Sequence, residues 1–99
     1  MPITIIAKLK VKPGSEAAFE AAAKEMIEKV KTSEPGTLAY ILHKNSADPT
    51  EFIYYENYQD QAALAAHSGS EQMKAFGAKI GGLLGGRPEI SMLTEVVRK

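Results

Sequence analysis

Polar and apolar residues alternate from the third residue onward. Ile3, Ile5, Ala7, Leu9 and Val11 fall on one face of an extended segment, and Thr4, Ile6, Lys8, Lys10 and Lys12 on the other. A period of two with β-branched residues predicts a strand over 3–12, ended by Pro13-Gly14. The period then lengthens. Phe19, Ala22, Ala23, Met26, Ile27 and Val30 recur at helical spacing, with Glu20, Lys24, Glu28 and Lys31 opposite them. This predicts an amphipathic helix of four to five turns. Ser15 is its expected N-cap, Glu16 suits its first turn, and Pro35-Gly36 closes it.

Residues 37–45 (TLAYILHKN) and 51–58 (EFIYYENY) are β-rich runs separated by SADPT. They predict a hairpin with a slightly long loop. Asp60 can cap a short helix, QAALAAH, and Ser70 a second, EQMKAFGAKI. The glycine pairs around Leu83-Leu84 read as a loop. Residues 88–97 alternate again, as a last strand. The order β-α-β-β-α-β predicts a single α+β domain over residues 1–99, with the ferredoxin-like antiparallel sheet and its helices on one face. The other face would then carry Ile6, one set of hairpin residues and Leu93 or its neighbours. An apolar sheet face of that kind predicts a homodimer formed sheet to sheet.

Composition narrows the chemistry. Acidic and basic residues balance at twelve each, which points away from nucleic acid. The absence of cysteine excludes disulfides, thiol catalysis and thiolate-bound metals. His43 and His67 do not form a helical metal-binding pair, so no metal is expected. The glycine-rich GGLLGG lacks the lysine of a phosphate loop, and no GxSxG is present. The apolar run at the N-terminus reads as a strand rather than a signal peptide, and no stretch approaches a membrane span. A cytoplasmic location is the default expectation.

The titratable groups that remain cluster in Glu56–Phe76. Glu56 shares a strand face with Phe52, Tyr54 and Tyr58, where a carboxylate is costly to bury unpaired. It can orient His67, pair with a cation or reach solvent. His67 closes the short helix; it can act as a proton acceptor or simply face the helix dipole. Tyr54, Tyr58 and Tyr40 can hydrogen-bond a substrate oxygen or fill the core, and Met73 and Phe76 can wall a pocket or pack. Solvent exposure is expected for His43.

The run ADPTEFIYYENYQDQAALAAHSGSEQMKAF resembles the Asp-Pro, aromatic strand, Glu-x-aromatic, Ala-x-x-x-His segment of the antibiotic biosynthesis monooxygenase domain family. PGTLAYILHKN and KVKPGSEAAFEAA look like that family's second strand and first strand-to-helix junction. The resemblance covers nearly the whole chain. It implies a dimeric α+β barrel with a cavity between sheet and helices. It also implies cofactor-independent oxygenation of a quinol or another electron-rich phenolic or enediol molecule, with no cofactor. His67 would be the base, Glu56 its orienter, Tyr58 and Tyr54 the oxygen-contacting groups, and Tyr40, Met73 and Phe76 further substrate contacts. Tyr58 stands where many members have tryptophan, a residue this chain lacks. With Ala7 and Phe76 or Gly77 at the other two matching positions, the haem-degrading branch does not fit. Two alternatives stay open: isomerase-like chemistry on a small phosphosugar dicarbonyl, which would need Lys8, Lys44, Lys74 or Arg87, and a non-enzymatic dimeric binding or interaction domain.

Overall fold

The structure is a computed structural model describing residues 2–99. Four antiparallel strands are crossed on one face by helices: β1 Ile3–Lys10, α1 Glu16–Ser33, β2 Thr37–Asn45, β3 Asp48–Tyr58, α2 Gln61–Ser68, α3 Glu71–Ile80 and β4 Glu89–Thr94. The sheet order is β2-β3-β1-β4. This is the ferredoxin-like α+β fold as an open sheet, with the second crossover divided into two helices at Gly69.

The period-two faces of β1 set the layers. Ile5, Ala7, Leu9 and Val11 are buried under the helices, and Lys8 and Lys10 are not. From α1, Phe19, Ala23, Met26 and Val30 pack onto that face. Phe19 lies between Phe52, at 4.8 Å between ring centroids, and Phe76, at 6.3 Å. The expected caps at Asp60 and Ser70 form: their side chains accept from the Ala63 and Met73 amides. Ser15 makes no such bond. The Glu16 carboxylate instead turns back on the preceding turn, its Oε1 accepting the Gly14 N–H at 2.7 Å.

Three boundaries depart from the sequence pattern. The hairpin turn is only Ser46-Ala47, since Asn45 pairs with Asp48 and a register shift follows on β3. Asn45 Oδ1 accepts the Ala47 amide, and Asp48 Oδ1 accepts from both the amide and hydroxyl of Thr50. These side-chain turns tighten the connection, and Pro49 sits in the irregular stretch, where no ladder N–H is required. The glycine-rich segment is fastened rather than looped out. Residues 81–83 form a 3-10 turn, Leu84 bridges Val11, and Lys12 and Gly85 donate to Leu83 and Lys10 backbone carbonyls. Last, β4 stops at Thr94, its final partner on β1 being Ile3. Beyond it no pairing with β1 is present among the described residues, and Val96 and Val97 are exposed.

The register creates two rows across the helix-covered face. Tyr40, Glu56, Ile5 and Met92 are successive cross-strand partners, and so are Leu42, Tyr54, Ala7 and Ile90. Each row runs from β2 to β4, three strand spacings or roughly 14 Å. Small Ala7 in the middle leaves space above the sheet that a larger side chain would fill.

Candidate active site

That space is a cavity of about 680 Å³ between the sheet and α2–α3. It falls within the range of roughly 300–1,000 Å³ typical of small-molecule sites. Tyr40, Tyr54, Glu56 and His67 line it, with Met73 and Phe76 on the helix wall. Six of the seven side chains singled out from sequence therefore meet around one space. The seventh, Tyr58, is fully buried and does not reach the lining. It stands behind the wall, where its hydroxyl donates to Glu56 Oε1 at 2.6 Å.

No hydrogen bond joins Glu56 to His67: Glu56 Oε1 accepts from Tyr58, and the histidine is held by Glu34, whose Oε1 lies 2.8 Å from Nδ1. The Glu34 side chain is 7 % exposed and that of His67 4 %. Thr37 Oγ donates to the same Glu34 oxygen and Gln72 Nε2 to the other, both at 2.8 Å. Burial pushes the Glu34 carboxyl up, but the hydrogen bonds from Thr37, His67 and Gln72 together outweigh it and hold the group below its usual value. An ionised carboxylate only accepts, so His67 carries a proton on Nδ1, and in the neutral imidazole the lone pair lies on Nε2. Nε2 has no protein partner among the described residues, and His67 is on the cavity wall. The imidazole is wedged between Tyr40 and Tyr58, whose ring centroids lie 4.9 and 5.3 Å away.

Sequence reasoning missed Glu34. It immediately follows α1, where the negative end of the helix dipole disfavours a carboxylate. That local misfit was the one available sign that the residue is held by something remote, here His67, 33 positions on.

The tyrosines supply donors. Burial raises the phenols of Tyr40, Tyr54 and Tyr58 far above the usual range, so all three stay protonated. Tyr40 stacks on Tyr54 at 4.9 Å between ring centroids, which brings the two hydroxyls close enough to interact. The Tyr54 hydroxyl is buried with no partner among the described residues. An unpaired buried donor costs about 1–3 kcal/mol.

Burial pushes the Glu56 carboxyl up, against the pull of the Tyr58 hydrogen bond and of His67. The folded chain thus binds this proton more tightly than the unfolded chain. Stability attributable to Glu56 should fall as pH rises from the unfolded value, about 4.3, toward the higher folded one. Glu34 acts oppositely and lower: its stabilisation is lost as pH falls below that same value. Thermal unfolding of Glu56→Gln and the parent across this range should show the variant gaining relative stability as pH rises. A constant or shrinking difference would contradict the burial argument.

No group of three or more histidine, aspartate or glutamate side chains gathers in metal-binding geometry among the described residues. None of their helices is long and apolar enough to cross a membrane. No lysine or arginine lines the cavity. Lys44 pairs with Glu20 at 2.8 Å, Lys74 with Glu71 at 3.5 Å, and Arg87 is exposed.

Residues 2–79 match the family described as antibiotic biosynthesis monooxygenase. The chain is 32% identical over 83 residues to Rv0793 of Mycobacterium tuberculosis, a protein provisionally named a monooxygenase, covering 84% of this chain and 80% of that one. It is 30% identical over 91 residues to sll1783 of Synechocystis, covering 92% of this chain but only 61% of the relative's length. Among solved structures, a Caulobacter crescentus protein provisionally named an antibiotic biosynthesis monooxygenase superposes with a TM-score of 0.93 at 35% identity. That match covers 97% of this chain and 91% of the other. Rv0793 itself superposes with a TM-score of 0.90, covering 99% and 98%.

Proposed function

This chain belongs to the antibiotic biosynthesis monooxygenase family, and we propose that it is a cofactor-independent monooxygenase acting on a quinol or another electron-rich phenolic or enediol small molecule. The observation that carries this reading is His67 on the cavity wall, its Nδ1 bonded to Glu34 and its Nε2 without a protein partner among the described residues. Nε2 accepts the phenolic proton, and the resulting electron-rich carbon reduces dioxygen and forms the C–O bond of a hydroperoxide. The proton held by His67 returns to the distal oxygen. The O–O bond breaks, the C–H bond at that carbon is lost, and a carbonyl and water result. Two of the four electrons taken up by dioxygen come from the quinol-to-quinone oxidation and two from the hydroxylated carbon. The Tyr54 hydroxyl, a protonated donor on a residue of the cavity wall, supports the developing oxyanion. Tyr58 acts one step back, by fixing Glu56.

The phosphosugar alternative has no comparable support, since a phosphate would meet no cation on the cavity wall. A menadiol-type quinol under oxygen is the direct test. Oxygen uptake should exceed the protein-free rate, with one water formed per hydroxylated quinone. An uptake no faster than the control sinks the proposal.

The working unit in this reading is a homodimer formed through the uncovered sheet face. Ile41 and Leu93 there are 48 % and 46 % exposed, beside partly exposed Ile6, Ile53 and Tyr55. Sedimentation should give twice the mass of the 10.7 kDa chain, and Ile41→Glu should shift the mass toward a single chain. A parent protein that sediments as one chain refutes the pairing.

A further inference from the structure

The cavity is polar at one end only. Along the first cross-strand row the floor reads Tyr40, Glu56, Ile5, Met92, and along the second Leu42, Tyr54, Ala7, Ile90. His67 stands over the β2–β3 end, as its ring contact with Tyr40 shows. The remaining polar lining residues, Gln61 and Ser68, belong to α2, which packs on β2 and β3, whereas the other end is walled by Ile80, Leu84, Pro88, Ile90 and Met92. It is also the open end. Ile90 and Met92 point to the helix side of the sheet yet are 61 % and 62 % exposed, because no helix extends over β4. Large apolar side chains left in water at the mouth of a cavity mark a surface that something apolar covers.

A bare phenol or quinol satisfies only the β2–β3 end. It would leave roughly two strand spacings, or about 10 Å, of apolar floor in contact with water. We infer that the ligand is an amphiphile: a hydroxylated aromatic head against Tyr54, Glu56 and His67, carrying an alkyl chain that runs across Ala7 and leaves between Ile90 and Met92. This rests on the reading above for which end holds the oxygens, and it adds the part of the substrate that does not react. The absence of cations on the lining fits an uncharged chain rather than one ending in a carboxylate or phosphate inside the cavity.

The test is a binding series without turnover. Phenol and its para-methyl, ethyl, butyl, hexyl and octyl derivatives are titrated into the full chain by calorimetry under anaerobic conditions. Affinity should rise about fourfold for each methylene buried, equivalent to about 0.8 kcal/mol, and level off once the chain passes the mouth. Met92→Asp changes a largely exposed side chain, so the fold is not at risk, and it should flatten the rise for the longer chains. A series without the gradient, whether from uniform affinity or from no binding, overturns the inference. So does a gradient that Met92→Asp leaves intact, since the chains would then be binding elsewhere. The two readings fail separately. A protein that shows the gradient and consumes no oxygen loses the catalytic assignment and keeps the amphiphile. One that oxidises the parent quinol and shows no gradient does the reverse.

Discussion

His67→Ala is expected to lower kcat/KM for quinol oxidation by about 10²–10⁴-fold, the usual contribution of a positioned general base. The loss should lie mainly in kcat, because Tyr54, Glu56 and the apolar walls that hold the substrate are untouched. Removing the imidazole also leaves Glu34 with one donor fewer in a nearly closed site. Lost fold must therefore be separated from lost chemistry. Added imidazole does this: the base lines an open cavity, so a small molecule can enter the vacated space and return part of the rate. Glu34→Gln should give a smaller loss with a different signature. An amide can donate to Nδ1, and a histidine accepting there carries its proton on Nε2, facing the substrate. The rate then falls although every ring stays in place. A His67→Ala enzyme with the parent's rate would remove the histidine from the mechanism. Glu34→Gln with an unchanged rate and pH profile would remove its orienter.

The fold was readable because its elements announce themselves locally. β1 alternates over its whole length, and α1 presents an unbroken apolar stripe. Asp60 and Ser70 stand at true helix starts. The boundaries were harder to read where long-range or side-chain bonds set them. Nothing local says that Leu84 will bridge Val11, or that Asp48 will fold back on Thr50 to shorten the hairpin turn. The site divides the same way. Glu56, Tyr54 and Tyr40 reach one cavity because period two and the sheet register put them there, and both can be read from the chain. The partner of His67 cannot. It depends on where the end of α1 passes the end of α2, a tertiary contact that brings Glu34 and Gln72 onto one carboxylate-centred cluster. The family resemblance pointed to the histidine and the strand glutamate, and adjacency in the motif suggested pairing them. The geometry separates them into a histidine held by Glu34 and a carboxyl held by Tyr58.

The same junction makes Gly36 the most sensitive position outside the cavity. Its φ is unremarkable; what it supplies is closeness. A Cβ built at Gly36 would lie 2.6 Å from the Ala63 Cβ, on α2, where carbon atoms prefer about 3.5–4.0 Å. Neither atom is the tip of a flexible chain, so backbone must move. The strand side is tied, since the Gly36 carbonyl accepts the Gln59 amide at 2.9 Å. The helix therefore gives way, and Ala63 lies one turn before His67 on the same face. Gly36→Ala should cost about 1–3 kcal/mol in the manner of an overpacked core. It should also lower kcat by drawing Nδ1 away from Glu34. Ala63→Gly alone should cost up to about 1 kcal/mol through helix propensity. Combined with Gly36→Ala it should restore stability and rate toward the parent, because the second methyl is the one the first collides with. Coupling of that sign, measured in a double-mutant cycle of unfolding free energies and rates, ties the strand–helix contact to the catalytic geometry. Simple additivity would mean that α2 accommodates the methyl without moving His67, and the link from Gly36 to the base would be broken.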